Sequence, residues 1–405
     1  MIRRFLSFTV CTLFFLTVLV GCHFSVVLPT LEDETPAEEE IPVVYFTVSF
    51  CSNGGSEVES QSVQDGEKAE VPASPTKDEH QFIGWYADSA CTEAFNFNTA
   101  ITEDVELYAK WLKDCVMAEG TTIEEPVGES ALFIEGRNIT IGSICMCDHE
   151  VTQAEWAEYM TYYGTERGGN NKPTSGCGLG DNVPAYFINW YDTVIYCNLR
   201  SVAEGLRPAY YMVIDGENVY DVAAWAEVSG SNVAKNADGK YYYNSTSNSS
   251  VLDNAETGIQ YDTSANGYRL PTEAEWEYVA RGGEAGLYEE QTKYCGSNDV
   301  EEVAWYTGKK AHEVKQKKPN ALGMYDMSGN VSEICWDWYG DIEPSTGPLG
   351  SSTGLETECV RRGGCTGNDK NPDKNDCPID YRGKARPRAY RSQFGGLRVV
   401  CSCID

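Results

Sequence analysis

Histidine and basic charge are what this sequence has least of. Four histidines occur in 405 residues, and 31 Lys and Arg face 62 Asp and Glu, for a net charge of −31. So large an acidic excess excludes a nucleic-acid binder, whose affinity rests on a basic footprint. It equally excludes a broad electrostatic grip on anionic lipid. It favours solubility and is compatible with cation binding. A structural zinc site lacks both its histidine partners and its spacing, since the close cysteine pairs are Cys145-x-Cys147 and Cys401-x-Cys403. Long apolar periods are also few after the first 22 residues, which leaves room for short helices only.

What is present begins at the amino terminus. Arg3 and Arg4 precede an apolar stretch, Phe5 to Val20, interrupted by Ser7, Thr9, Thr12 and Thr17. A segment this short after two positive charges reads as a secretory signal over residues 1–21, not a membrane span. Its end, Leu19-Val20-Gly21-Cys22, resembles a lipobox, which implies that Cys22 is acylated and anchors the chain to a membrane of the cell envelope, periplasmic or surface-exposed. Loss of residues 1–21 removes two Arg and no acid, taking the net charge from −31 to −33. Residues 22–42 end in LEDETPAEEEIP, an acidic, proline-containing stretch without apolar period, and are expected to be a solvated tether. Fourteen of the 16 cysteines lie beyond Cys22. Export permits disulfides among them, and the spacing assigns no pairing.

Residues 43–112 read as a small β module. VVYFTVSF alternates like a strand, SNGGS marks a turn, and VELYAKWL closes the segment as a last strand. With few apolar residues available, Phe82, Trp85, Tyr86, Tyr108 and Trp111 are expected to supply most of the core. Phe50, Asn53-Gly54-Gly55, Gly66, Pro72, Pro75-Thr76, Phe82 to Tyr86, Phe95-Asn96-Phe97, Ile101-Thr102 and Leu107 to Trp111 together resemble the internalin-type B repeat, a β-grasp-like module of bacterial surface proteins. The resemblance implies either a spacer or a ligand-binding surface. One copy is present, so there is no repeat array.

Residues 120–403 carry many Gly and Trp-centred turns. Glu150 to Tyr163 and Asp192 to Glu204 have helical spacing. Thr272 to Arg281 predicts a helix with a Thr N-cap and Glu275 three residues on, a capping box. His149 to Gln153, Asn189 to Asp192, Tyr196-Cys197-Asn198, Gly205 to Tyr210, Gly267 to Tyr278, Ala280 to Gly283, Lys318 to Val331, Arg362-Gly363-Gly364 and Gly396 to Val400 follow in order. Together they resemble the formylglycine-generating enzyme (sulfatase-modifying factor) family. The resemblance implies an α+β, C-type-lectin-like fold with little regular secondary structure.

That family converts a sulfatase cysteine to formylglycine with oxygen and copper(I) held by two thiolates, soft ligands that suit Cu(I). The family spacing, counted from Gly364, puts Asn368 and Asp373 where the two thiolates belong. Cys365 and Cys377 offer a shifted pair if the loop folds back; otherwise Cys377 is a core or disulfide cysteine. The resemblance also implies calcium, held by the side chains of Asp326 and Glu333 and the carbonyls of Gly329 and Val331. The alternative is a calcium-free turn with Glu333 in a salt bridge. Ser332 stands where the family has Trp.

The closing segment keeps a framework (Arg382, Pro387, Arg391, Gly396-Leu397-Arg398) around varied fillers. Among these are Asn368, Asp369, Lys370, Asp373, Arg386, Arg388, Tyr390 and Phe394. Such a mixture resembles the lectin-fold surface of retroelement-diversified display proteins and implies ligand binding through Tyr and adaptable polar groups. A solvated loop is the alternative. Three functions compete: a non-catalytic binding or display protein with an extracellular or periplasmic protein or glycan ligand, an oxidase acting on a sulfatase, and a structural component. The absence of thiolates at Asn368 and Asp373 favours the first.

Overall fold

A computed structural model describes residues 42–164, 171–289, 291–347, 349, 354–367, 370–383 and 386–403. Cys22, the tether up to residue 41, and the loop residues Asn368 and Asp369 lie outside the described residues. Among the described residues no helix is long and apolar enough to cross a membrane.

The module is a mixed sheet of β1 (Tyr45–Cys51), β2 (Gln61–Gln64), β3 (His80–Tyr86) and β4 (Val105–Lys113), in the order β2-β1-β4-β3. β1 and β4 run parallel at its centre, and both outer pairings are antiparallel. Of the aromatics expected to supply the core, Trp85 and Tyr86 are buried, and aliphatic residues supply much of the rest. Its fully buried members are mainly Val48, Ile101, Leu107, Ala109 and Trp85, while Phe82 and Trp111 are partly buried against them. Alternation along β4 explains Tyr108: Leu107 and Ala109 face the core, so Tyr108 faces out and donates to Glu106 Oε2 at 2.5 Å.

β5 (Cys115–Ala118) begins one residue after β4, across Asp114 in the left-handed region (φ 51°). The module and the following domain belong to one compact unit. Lys110, buried on β4, donates from Nζ to Cys91 O at 2.9 Å and across to Gly205 O of the domain at 2.8 Å.

The domain is a set of small sheets. β6 (Thr121–Ile123) pairs with β7 (Ile139–Ile141). β8 (Ile144–Cys147) lies beside β5 in a second sheet completed below. α1 (Gln153–Tyr159) and α2 (Trp190–Ala203) follow. β9 (Tyr210–Ile214) and β10 (Glu217–Val219) precede α3 (Val222–Glu227), β11 (Val233–Lys235), β12 (Tyr241–Tyr243), β13 (Ile259–Tyr261) and β14 (Tyr268–Arg269). α4 (Glu273–Arg281), α5 (Glu284–Tyr288) and α6 (Val300–Val303) lead to β15 (Ser332–Gly340), β16 (Gly354–Arg362), β17 (Arg386–Pro387), β18 (Gly395–Gly396) and β19 (Val400–Ser402). Two four-stranded sheets matter most: β14-β19-β8-β5 and β17-β16-β15-β18.

Three helices start in reciprocal capping boxes: Thr152 with Glu155, Asn189 with Asp192, and Thr272 with Glu275. The last is the one predicted from sequence. α4 is buried on every side, which its charge pattern would forbid without partners. Those partners come from the end of β16 and the segment after it. Arg362 pairs with Glu273 (3.0 Å) and Glu277 (2.7 Å), and Arg382 with Glu273 (2.7 Å). The two glycines after Arg362 then have to turn. Gly363 and Gly364 have φ of 85° and 72°, and a Cβ on Gly364 would fall 2.2 Å from Asn375 O.

Candidate ligand-binding cleft

At one end of the β17-β16-β15-β18 sheet lies a cleft of about 160 Å³. Ser332 at the start of β15, Arg361 at the end of β16, Cys365, Asp376, Arg386, Tyr390 and Phe394 line it. Ser332 fixes its floor: its N–H (2.8 Å) and Oγ–H (2.9 Å) both donate to Phe394 O. Tyr390 is 40% exposed and has the Arg386 guanidinium 5.2 Å from its ring centroid.

Arg361 is the chemically unusual member. It is buried, its Nη2 donates to Tyr390 O at 3.2 Å, and its Nε and Nη1 have no hydrogen-bond partner. Burial pulls its guanidinium below the usual arginine range. Buried donors are normally satisfied, and an unmet charged one costs more than a neutral one. Gly395 makes room for it, since a Cβ there would sit 2.0 Å from Arg361 Nη1.

The structure divides the residues expected to bind ligand. Arg386, Tyr390 and Phe394 come together on the cleft. Arg388 lies inside the domain instead, its guanidinium 3.7 Å from the Trp190 ring centroid and 3.5 Å from that of Trp338, with Asp253 Oδ1 at 3.0 Å. Asp373, on a short 3₁₀ turn, pairs with Lys293 at 2.8 Å, and Lys370 is exposed; neither lines the cleft. Sequence reasoning missed Arg361. The signal was its adjacency to Arg362: successive strand residues face opposite sides, so an arginine bound to the core implies a neighbour that looks away from it.

Cys365 lines the cleft and Cys377 is fully buried, its thiol donating to Asn375 O at 3.5 Å. Burial pushes the Cys365 thiol up to about 12, with Asp376 adding to it, and burial likewise pushes Cys377 up. A copper(I) ion bound by this pair would have to displace both of these protons.

The turn expected to hold calcium is organised by protein groups. Glu333 is buried and gripped by Arg398, whose Nη2 lies 2.7 Å from Oε1; Trp276 Nε1 donates to Oε2 at 2.6 Å. Glu150 accepts from Val331 N (2.9 Å) and Asn330 Nδ2 (2.7 Å). Asp326 accepts from Lys315 N at 2.7 Å, and its Oδ1 is buried without a partner. Burial pushes Asp326 up to about 6. Asp326, Gly329, Val331 and Glu333, the groups that the resemblance implies for calcium, lie on this turn with Glu333 paired to Arg398 and Asp326 Oδ1 unpartnered.

A second, wider cavity of about 740 Å³ is lined by His149, Glu155, Arg200 and Lys315 among others. Part of its charge is paired. His149 meets Asp148 at 2.5 Å and Glu155 at 3.5 Å, Arg200 meets Glu204 at 2.8 Å, and Lys315 meets Asp148 at 2.7 Å.

A family model described as a sulfatase-modifying factor enzyme 1-like domain matches residues 128–403. The chain belongs to that family. Ahead of the sulfatase-modifying-factor domain, residues 46–110 match the Listeria-Bacteroides repeat domain. The family member is similar to the chaperone protein LppX of Paenibacillus barcinonensis, 32% identical over 275 residues, which are 63% of this chain and 78% of that protein. It is also similar to the formylglycine-generating enzyme of Streptomyces coelicolor, 35% identical over 119 residues, 24% of this chain and 36% of the enzyme. The solved Treponema denticola variable protein 1 shares 28% identity at a TM-score of 0.54, over 71% of this chain and 94% of that one. The α+β sulfatase-modifying-factor fold is therefore the fold of this domain.

Proposed function

We propose that this protein is a lipid-anchored envelope protein, fixed through Cys22, whose sulfatase-modifying-factor head binds a ligand and does not catalyse. The observation that carries the reading is Arg361: a buried guanidinium with two unmet nitrogens in a cleft rimmed by Tyr390, Phe394 and Arg386. A guanidinium with no carboxylate partner suits an oxyanion, a carboxylate or a sulfate. The ligand is accordingly an acidic group of an extracellular or periplasmic protein or glycan, with the aromatic rim supplying contact area. Two relatives agree with this reading, one named a chaperone and one named a variable protein. Asn368 and Asp373, standing where the family spacing puts the two thiolates, support the non-catalytic half.

The test uses the mature chain on arrays of acidic glycans and acidic polypeptides, with affinities then measured by titration. Arg361→Met is expected to lower affinity at least about tenfold, the worth of one charge-assisted contact. Formation of formylglycine in a Cys-x-Pro-x-Arg peptide with copper(I) and oxygen would overturn the proposal in favour of an oxidase. Binding that Arg361→Met and Tyr390→Ala leave unchanged would move the ligand site elsewhere.

A further inference from the structure

Four cysteines stand in two close pairs on the β14-β19-β8-β5 sheet. Cys115 on β5 lies directly opposite Cys147 on β8, with sulfurs 3.1 Å apart. Cys145, two residues earlier on β8 and so on the same face, has its sulfur 3.0 Å from that of Cys403, just past β19. Cys401 is opposite Cys145 in register, yet Cys403 is the residue that reaches it. For Cys115 and Cys147, direct opposition sets the Cα atoms about 4.5–5.5 Å apart, inside the range of about 4.4–6.8 Å that a disulfide needs, whereas the Cys145 pairing with Cys403 rests on the distance between the sulfurs. A bond length of about 2.05 Å asks each pair to close by about 1 Å.

We propose that Cys115–Cys147 and Cys145–Cys403 are the disulfides of the exported protein, a reading that rests on the signal segment and not on the cleft. The oxidant is a small or protein disulfide, D–S–S–D. One thiolate of each pair attacks it, forming a mixed disulfide and releasing D–S⁻, which takes up a proton. The second thiol of the pair then loses its proton, attacks the mixed disulfide and releases the second D–S⁻. Two protein thiols are oxidised and one disulfide is reduced to two thiols.

The two pairs differ in access. Cys403 is half-buried, so an oxidant can reach that pair in the folded protein. Cys115 and Cys147 are buried, so their bond closes while β5 is still docking.

The bonds also define a role for β8. β5 brings the chain in from the module and β19 is the last strand of the chain among the described residues. Both would be fastened covalently to β8 or to its face.

The experiment refolds the full mature chain in a reduced/oxidised glutathione mixture. Free thiols are then alkylated in denaturant without reductant, and peptides are mapped by mass spectrometry without reduction. Four fewer alkylated thiols than in the reduced chain are expected, with cross-linked peptides joining 115 to 147 and 145 to 403, and with Cys401 and Cys197 alkylated. Alkylation at all four positions, or a cross-link through Cys401 in place of Cys403, overturns the proposal. Cys403→Ala, a mild change at a half-buried position, is expected to leave 115–147 intact and Cys145 alkylated. Loss of both cross-links in that variant would refute two independent bonds.

Discussion

Arg361 and Arg362 are neighbours with opposite surroundings. Arg362 is closed in by Glu273 and Glu277, while Arg361 turns to the cleft with two nitrogens unmet. Gly395 decides whether Arg361 holds that position. Because the crowding atom is the tip of a flexible side chain, Gly395→Ala is expected to change stability by less than about 1 kcal/mol in urea unfolding. Ligand titration should nonetheless show at least about a tenfold loss, since the guanidinium must move. Arg398 is the opposite case. Arg398→Met leaves the Glu333 carboxylate buried without its cation, and urea unfolding should show a loss of about 3–5 kcal/mol. Neither arginine's part was legible from residue type alone. The Arg-Gly-Gly motif pointed to this region, but which guanidinium is spent on the framework depends on the face each strand residue takes.

His149 makes stability depend on pH. Burial works against its charge, but hydrogen bonds and charge from Asp148 and Glu155 raise it from 6.5 to about 9. Arg200 faces Glu155, and Lys315 faces Asp148, in the same cluster. A folded value above the unfolded one means the stabilisation is complete below about pH 6.5 and is lost as pH climbs through about 9. The full swing is on the order of 3 kcal/mol. Denaturation midpoints measured from pH 6 to pH 10 should fall along this window, and His149→Gln should flatten the fall.

Among the elements, helices whose ends are written in side chains were the readable ones. Thr272 and Glu275 form the capping box that their spacing predicts, and the helix runs Glu273–Arg281 as expected from the sequence. Thr272→Ala should cost about 1 kcal/mol, measured by thermal or urea unfolding. The sequence signal placed helices near α1 and α2 as well, but not the Asn189–Asp192 box, because Asn and Asp also favour turns. Most short strands were not readable. β14, β17 and β18 are two residues each, too short for any alternation to appear. They exist because the framework residues around them are fixed: Gly396 pairs beside Glu333, and Arg269 beside Val400. The family motifs therefore announced the fold through those framework residues, while the cleft residues between them followed no pattern of spacing.

In the whole molecule, the repeat module and the head share one compact unit, joined by Asp114 and by the Lys110 ammonium. Lys110 contributes by bridging carbonyls of both parts while buried. Lys110→Met keeps the apolar stem and leaves Cys91 O and Gly205 O without their donor. Its expected cost is about 1–3 kcal/mol. Limited proteolysis should then cut faster near Asp114, with the head itself unchanged. Unaltered cleavage would mean that the β4–β5 connection alone holds the junction.

The position of β8 has a mechanical meaning. A pull on the module reaches the head at β5 and meets the β5–β8 ladder first, while the cleft is carried by β15, β16, β17 and β18 in a different sheet. The strands that receive the module and the strands that line the cleft are thus different, so straining β5 against β8 does not pull directly on β15, β16, β17 or β18.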